Sequence, residues 1–581
     1  MQYNIALNDA FKSFTLDQDK VITPEETVRR LRDRLAAIDL HVLDRAVRID
    51  NGRLDIPVYF SVCGKDAANV IGTKKQMGKG ATAQQAEASA VMELAERFSF
   101  FSFCKNSSHF FTDTHAHLKD KAIPFDLVAR SVHDSSDELE ISRGFFENLP
   151  LQWTWSYNLS RQEPVLIPFT WFYAINEFNG PSAGNCQEEA LMQGICEVVE
   201  RHVSSLVSQN RMRVPLIRPE SVKDPMVLEM FQKYRAAGIT LVISDFSLDT
   251  GIPTVGVLAY DPSTFPETSE IVWTAGTTPD PEKALSRALT EVAQLAGDFN
   301  TSANYVASGL PKFASLEEAD YVINSGREVD MTALADLSHP NIRLEIEHCL
   351  AALGRRDMEV FVIDTTHPQL QIPAFYTIIP GAHFRERALG TSVGMFCAKI
   401  VSETFPPALA MDRLGEMNQQ LPGKYYLQFY MGSCLLNLED PQAALPYFHK
   451  ALELDPHRQD IPSIYSYMGV CLKDLGRYRE ALEVLQRGVR VDRERTDLLN
   501  LMGFCHFKLK EHEAAIESFK RVIELNPSSA IDYANIASNY RDMGNTPKAI
   551  HYYELALELD PGIEFARDNL ERLKAKGSAP R

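Results

Sequence analysis

Several features that would fix a protein's class at once are missing from this chain. No run approaches the ~18–20 uncharged apolar residues that cross a bilayer, so no transmembrane helix is expected. The opening residues Met1-Gln2-Tyr3-Asn4-Ile5 lack a basic segment followed by an apolar core, and no signal peptide is expected. Cysteine is sparse and scattered: nine residues, with no C-x-x-C. That fits a reducing, cytoplasmic setting and argues against a structural zinc or iron–sulfur centre. Cations are in deficit, with 59 Lys and Arg against 78 Asp and Glu and a net charge of −19. A general nucleic-acid binder would carry a basic face instead. There is no Walker A loop, since Gly-Lys-Ser/Thr is absent. Among the 15 His and nine Cys no Ser/His/Asp or Cys/His arrangement stands out, and no catalytic nucleophile is assigned.

What the chain does contain is one repeated word. Gly184 to Arg201 reads as a helix entered from a glycine turn. Gln193, Glu197, Glu200 and Arg201 share one of its faces. Two carboxylates one turn apart repel, which suggests a cation between them. The word occurs earlier: Gly80, Ala86, Ser89, Ala90, Glu93, Glu96 and Arg97 match Gly184, Ala190, Gln193, Gly194, Glu197, Glu200 and Arg201 at a constant offset of 104. A degenerate third copy follows 94 residues after the second, in Ala284, Arg287, Ala288, Glu291 and Gln294. The small residues permit close approach of helix to sheet or helix to ligand. An exposed helix has no reason to repeat them beside its acids.

The 581 residues exceed one core, so two to four domains are expected. Strand-like runs at 56–62, 239–244, 254–259, 270–274, 359–364 and 372–380 alternate with helices. This is an α/β or α+β layered domain ending near residue 408. The stretch 74–80 reads as a flexible basic turn before the first motif helix, expected at 83–98. The stretch 165–171 reads as an edge strand or loop because of Pro168. Residues 179–184 read as a turn feeding the second motif helix.

Beyond a linker at 409–423 the texture changes. Gly432, Gly469, Gly503 and Ala537 begin equivalent positions, and Ala444, Ala481, Ala515 and Ala549 follow each by twelve residues. Pro456, Pro527 and Pro561 close three of the four units, with Arg493 at that place in the other. This is the tetratricopeptide pattern, an all-α solenoid of about four units over 424–575. Cys434, Cys471 and Cys505 share one repeat position and read as small core residues. Residues 576–581 read as a frayed tail.

The acids Glu93, Glu96, Glu197 and Glu200 have two readings: two solvated helix faces, or a facing pair of helices presenting four carboxylates. All-oxygen ligands suit a hard cation, Mg²⁺ above all where phosphate supplies further oxygens. Without His or Cys in the set, zinc does not fit. Arg97, Arg201 and Arg287 are either salt-bridge partners of these acids or phosphate-neutralising groups. Ser89 and Gln193 occupy one matched position, where a polar group donates to phosphate or to metal-bound water.

The three helices and their order resemble the YcaO family. Its pattern is carried here by Ser89, Glu93, Glu96 and Arg97; then Ser182, Gly184, Asn185, Gln193, Glu197, Glu200 and Arg201; then Arg287, Ala288, Leu289, Glu291 and Gln294. Lys79-Gly80 resembles the family's G-K-G turn and Pro380-Gly381 its late P-G. The resemblance covers about residues 20–408 and implies an α+β YcaO-type domain ahead of the repeats. It implies an ATP site without a Walker loop, with Mg²⁺ held by Glu93, Glu96, Glu197 and Glu200. Lys20, Ser89, Arg97, Ser182, Asn185, Gln193, Arg201, Arg287, Glu291 and Gln294 would surround the nucleotide. Such enzymes phosphorylate a backbone amide oxygen, and a nucleophile then displaces phosphate. One departure is Ala296, where family members often carry a basic residue.

Azoline-forming members end in a proline-rich tail, whereas this chain ends Gly577-Ser578-Ala579-Pro580-Arg581. The resemblance therefore points to thioamide formation, or to an accessory role in ribosomal-protein methylthiolation, ahead of azoline cyclodehydration. Expected partners are a peptide or protein substrate, a TfuA-like or other protein on the repeats, and a second copy in a homodimer. Two rival readings remain at this level: a nucleotide-binding or non-catalytic scaffold, and a metal-dependent hydrolase.

Overall fold

The computed structural model describes residues 4–72, 75–301, 305, 309–385 and 391–577. The chain divides into two compact units. Of the described residues, the first comprises 4–72, 75–134, 147–301 and 309–385; the second comprises 135–146, 305 and 391–577.

Among the described residues, three sheets build the first unit. One has three strands, Leu43–Arg48, Val58–Cys63 and Lys75–Lys79, in that order. A second runs Val272–Thr277, Thr254–Tyr260, Thr240–Asp245, Leu216–Ile217, Glu328–Val329. The third runs Phe111–Asp113, Leu151–Asn158, Phe361–Asp364, Ala374–Ile378, Pro181–Ala183, with Glu163–Pro168 paired to Leu151–Asn158. Among these strands only Glu328–Val329 and Leu216–Ile217 pair in parallel, so the layered domain is α+β.

Each sheet ends in an edge strand that runs into a motif helix. Lys75–Lys79 leads into Ala83–Lys105, Pro181–Ala183 into Gln187–Gln209, and Val272–Thr277 into Pro281–Ala296. The first helix also touches the edge strand of the second helix, the second touches that of the third, and the third touches that of the first. The three strand–helix pairs thus close a ring.

Glycine makes the ring tight. Positions 78, 182 and 276 correspond under the sequence offsets, as do 90, 194 and 288. A Cβ on Gly78 would lie 2.0 Å from the Ala90 nitrogen, and one on Gly276 would lie 2.8 Å from the Ala288 nitrogen. In the middle copy the roles are exchanged. The strand carries Ser182 and the helix carries Gly194, whose added Cβ would meet Ser182 Oγ at 2.8 Å and Thr377 Oγ1 at 2.3 Å. Each contact keeps one residue without a side chain, so strand and helix backbones approach within van der Waals range.

Several local expectations need correction. Residues 75–79 are a strand, not a turn, because pairing with Val58–Cys63 overrides the weak strand preference of Gly78 and Lys79; Lys74 lies outside the described residues. Pro181–Ala183 is likewise a strand, tolerating proline because it is at an edge. The first motif helix runs on to Lys105, its added turns burying Phe100 and Phe103. Of the stretch expected as an edge strand or loop at 165–171, only residues to Pro168 are strand, in the edge strand Glu163–Pro168; Phe169 begins the helix Phe169–Asn176.

The second unit is helical. Val393–Thr404 and Pro407–Gln420 precede four antiparallel helix pairs, and Glu564–Gly577 follows. The stretch expected as a linker at 409–423 is mostly helix, and Ala410, Leu414 and Met417 bury its apolar face. The tail expected to be frayed is helical through Gly577, and residues 578–581 lie outside the described residues. In three repeats a Cβ on the repeat glycine would strike the facing helix: Gly432 on Phe448, Gly469 on Leu485, Gly503 on Phe519. Ala444, Ala481, Ala515 and Ala549 are all fully buried. Cys434, Cys471 and Cys505 are free and buried, and burial raises their thiols to about 11 or 12, which keeps them unreactive.

Gly276→Val should cost roughly 2–3 kcal/mol and lower the melting temperature of the first unit, because the clash is with helix backbone and not with a movable side chain. Gly354→Ala, where an added Cβ meets nothing within 4 Å, should leave it unchanged or slightly higher. Thermal unfolding of both variants checks the pair.

Candidate nucleotide and metal site

The ring of strands and helices encloses a cavity of about 420 Å³ in the first unit. Its walls hold Lys20, Ser89, Arg97, Asn185, Gln193, Arg201, Arg287, Glu291, Gln294 and the acids Glu93, Glu96, Glu197 and Glu200. Residues up to 274 positions apart in sequence thus meet in one place. Ser182 is the exception. It is fully buried behind the second motif helix, where its hydroxyl donates to the Ala190 carbonyl at 2.7 Å. Its role is the strand–helix contact described above.

Sequence reasoning did not place Lys79, Lys75, Glu189, Gln18 and Gln85 in the site, yet all line the cavity. The offsets contained a signal for Lys79. It corresponds to Ala183 and Thr277, the residues that close the other two edge strands. The Thr277 N–H donates to Glu200 at 3.2 Å, and Lys79 is ion-paired with Glu291. An edge strand therefore reaches an acid of the preceding helix at two of the three ring contacts. At the third the matched residue is Ala183, which carries no polar side chain.

The N-terminal segment is laced across the mouth. The Asp17 carboxylate accepts from the Ala81 N–H at 2.6 Å and the Ser286 hydroxyl at 3.2 Å. Glu189 accepts from the Val21 N–H at 2.6 Å and also from the Asn185 N–H and side-chain amide at 2.9 and 3.0 Å. Lys283 donates to the Thr15 and Leu16 carbonyls, both at 2.8 Å. These bonds carry Lys20 into the cavity.

Among the described residues the wall charges are numerous and balanced. Six carboxylates (Glu93, Glu96, Glu189, Glu197, Glu200, Glu291) face six cations (Lys20, Lys75, Lys79, Arg97, Arg201, Arg287). Their distribution is uneven. Arg97 lies 2.9 Å from Glu93 and 3.5 Å from Glu96, and Glu197 also acts on it. One guanidinium pairs with two acids and feels a third. Burial, then the Glu93 carboxylate, hold Glu96 well above the usual carboxyl range despite Arg97. Burial likewise raises Glu197, against the pull of Arg201 and Arg97. The three acids outweigh burial at Arg97 and raise it. Acid and base both rise: burial disfavours the carboxylates, while the same carboxylates favour the charged guanidinium. Burial, then Arg287, lower the Lys79 ammonium to about 7.

These residues fit Mg²⁺ and a polyphosphate. A divalent ion near Glu93, Glu96 and Glu197 would supply the charge that the neighbouring arginines do not fully provide. Among the described residues no three acids or imidazoles form a ready-made metal cluster, so the four glutamates are not one tetracarboxylate cage. They are divided among three cations instead: Glu93 and Glu96 share Arg97, Glu197 is 3.9 Å from Arg201, and Glu200 is 3.4 Å from Arg287. Mg²⁺ commonly binds this way, through one or two carboxylates with phosphate oxygens and water completing its shell. The anion side fits too. Arg201 Nε is buried without a hydrogen-bond partner, an open donor for a phosphate oxygen. Gly309 leaves the guanidinium its room, since a Cβ there would lie 2.3 Å from it. Arg287 donates to Gln193 at 3.1 Å, so two residues of matched sequence position share a wall.

The YcaO family profile, described as a YcaO cyclodehydratase that binds ATP and Mg²⁺, matches residues 77–383. The chain belongs to the YcaO family. Its cofactors are ATP and Mg²⁺, and the family comprises ATP-dependent enzymes acting on peptides. Tetratricopeptide profiles match 425–494, 496–529 and 533–563. An uncharacterized protein of Methanothermobacter thermautotrophicus is 28% identical over 384 residues, 62% of this chain and 94% of that protein. An uncharacterized protein from the tfuA 3′ region of Rhizobium leguminosarum is 24% identical, covering 62% of this chain and 88% of that one. The Escherichia coli ribosomal protein S12 methylthiotransferase accessory factor YcaO is 26% identical over 38% of this chain and 39% of its own length. A heterocyclase solved in complex with substrate and cofactor superposes with a TM-score of 0.53 at 22% identity, over 66% of this chain and 55% of its own, and shows the shared fold.

The raised carboxyl of Glu96 has a direct consequence. Its contribution to stability is present below the unfolded-state value of 4.5 and lost as pH rises above it, because the unfolded chain ionises more freely. At neutral pH Glu96→Gln should therefore raise the melting temperature by a few degrees without nucleotide. It should also abolish the further rise that Mg²⁺ and ATP give the wild type. Thermal shift with and without Mg·ATP reads both effects.

Proposed function

We propose that the cavity activates a backbone amide of a peptide or protein at the expense of ATP, in thioamide formation or in support of ribosomal-protein methylthiolation rather than azoline closure. The observation that carries this reading is the convergence of the acids and arginines of three motif helices on one cavity. An amide carbonyl is a poor electrophile because nitrogen shares its lone pair. ATP, when bound, supplies the phosphoryl group that turns the amide oxygen into a leaving group.

The chain's own residues position and neutralise. Glu93 and Glu96 on one helix and Glu197 and Glu200 on the next would hold Mg²⁺. Arg97, Arg201, Arg287 and Lys20 would offset phosphate charge, with the bidentate guanidiniums best suited to it. Asn185, fixed by Glu189, and Ser89, Gln193, Glu291 and Gln294 would complete the polar wall. Enclosure lowers the local dielectric and strengthens each of these interactions. Ser182 is left out, since its hydroxyl is committed to Ala190.

The relatives support the choice of reaction. The Rhizobium protein, aligned over most of its length, comes from a tfuA region, which favours a TfuA-like partner here. The E. coli relative is named for methylthiotransferase support. The repeats would recruit the substrate or that partner along their concave face.

Glu197→Ala should reduce substrate-stimulated ATP turnover roughly a hundredfold or more. Equal phosphate release by both proteins would refute the reading. Mass spectrometry of proteins from a deletion strain would then identify the product. A peptide lighter by the sulfur–oxygen mass difference marks a lost thioamide, and one heavier by a water marks a lost azoline.

A further inference from the structure

We propose that Lys79 is a phosphate-contacting cation of the nucleotide site, paired with Glu291 until a polyphosphate enters and then shared with it. The inference rests on the ATP-site reading above and adds a residue that comes from a strand, not from a motif helix.

Three observations support it. Lys79 ends the edge strand of the first sheet, at the ring contact where that strand meets the third motif helix. Of the three matched residues, Lys79, Ala183 and Thr277, only this one carries charge. Its side chain is 14% exposed and its partner Glu291 only 19%, and both face the cavity. The third observation concerns its neighbours. Arg287 and Arg201 both act on the ammonium unfavourably, while Glu200 and Glu93 favour it.

Three cations from three different elements are thus gathered at one enclosed space. Bringing like charges together in a dry interior opposes folding, and the carboxylates around Lys79 do not fully offset burial and both arginines. A polyanion entering the same space does. A merely structural Lys79–Glu291 pair would tie strand to helix but would be indifferent to how many phosphates a ligand carries.

The test is calorimetric titration of the full chain with AMPPCP, a nonhydrolysable ATP analogue, and with AMP, each with Mg²⁺. Lys79→Gln should weaken AMPPCP about tenfold or more while changing AMP little, and Lys79→Arg should restore most of the loss. Equal AMPPCP affinity in wild type and Lys79→Gln overturns the proposal and leaves the ATP site standing. Equal loss for both ligands also overturns it, marking a structural role. No AMPPCP binding by wild type would instead overturn the ATP-site reading. Should Lys79→Gln fail to fold, amine acylation of wild type decides. AMPPCP, but not AMP, should shield Lys79, and unchanged labelling refutes the proposal.

Discussion

The contact between an edge strand and the helix that follows it, made three times around a ring, is the constraint on which the site depends. Gly78 against Ala90, Ser182 against Gly194 and Gly276 against Ala288 bring backbones into touch. No larger pair fits at any of the three. The acids lie one to two turns further along each helix. A shift of one helix away from its strand would carry its glutamates out of register with the arginines they share. The pairing of small residues is therefore part of the site, although none of it need touch a ligand.

Electrostatics runs in the opposite direction to packing. The ring places Glu93, Glu96 and Glu197 around one guanidinium and leaves a buried donor of Arg201 unmatched. An interior organised only for stability would avoid both. The balanced totals among the described wall residues conceal this local frustration, which a magnesium–polyphosphate pair is suited to relieve because it brings both signs of charge at once. Folding free energy is in this sense stored as affinity.

Much of this was legible in the residues because the three copies share spacing and chemistry. The repeated E-x-x-E-R and its small neighbours located two motif helices, and Arg287, Glu291 and Gln294 located the third. The repeats were legible because glycine and alanine recur where helices cross. What sequence could not show was partner choice. Gly78 and Lys79 have weak strand preference, and only the neighbouring Val58–Cys63 makes them a strand. Ser182 looked like a ligand because it lies in a polar motif, but its hydroxyl faces the helix backbone. Lys79 looked like part of a flexible turn, and its partner Glu291 lies 212 residues away. The apolar face of Pro407–Gln420 was masked by short polar stretches that resemble a linker.

The most direct test of the central claim is anomalous diffraction from crystals grown with Mn²⁺ in place of Mg²⁺ and with AMPPCP. Manganese peaks within coordination distance of Glu93 or Glu96 and of Glu197 or Glu200, and bonded to phosphate oxygens, are the predicted result. Nucleotide bound in the cavity with no manganese on these glutamates, or manganese bound only elsewhere, would contradict the account.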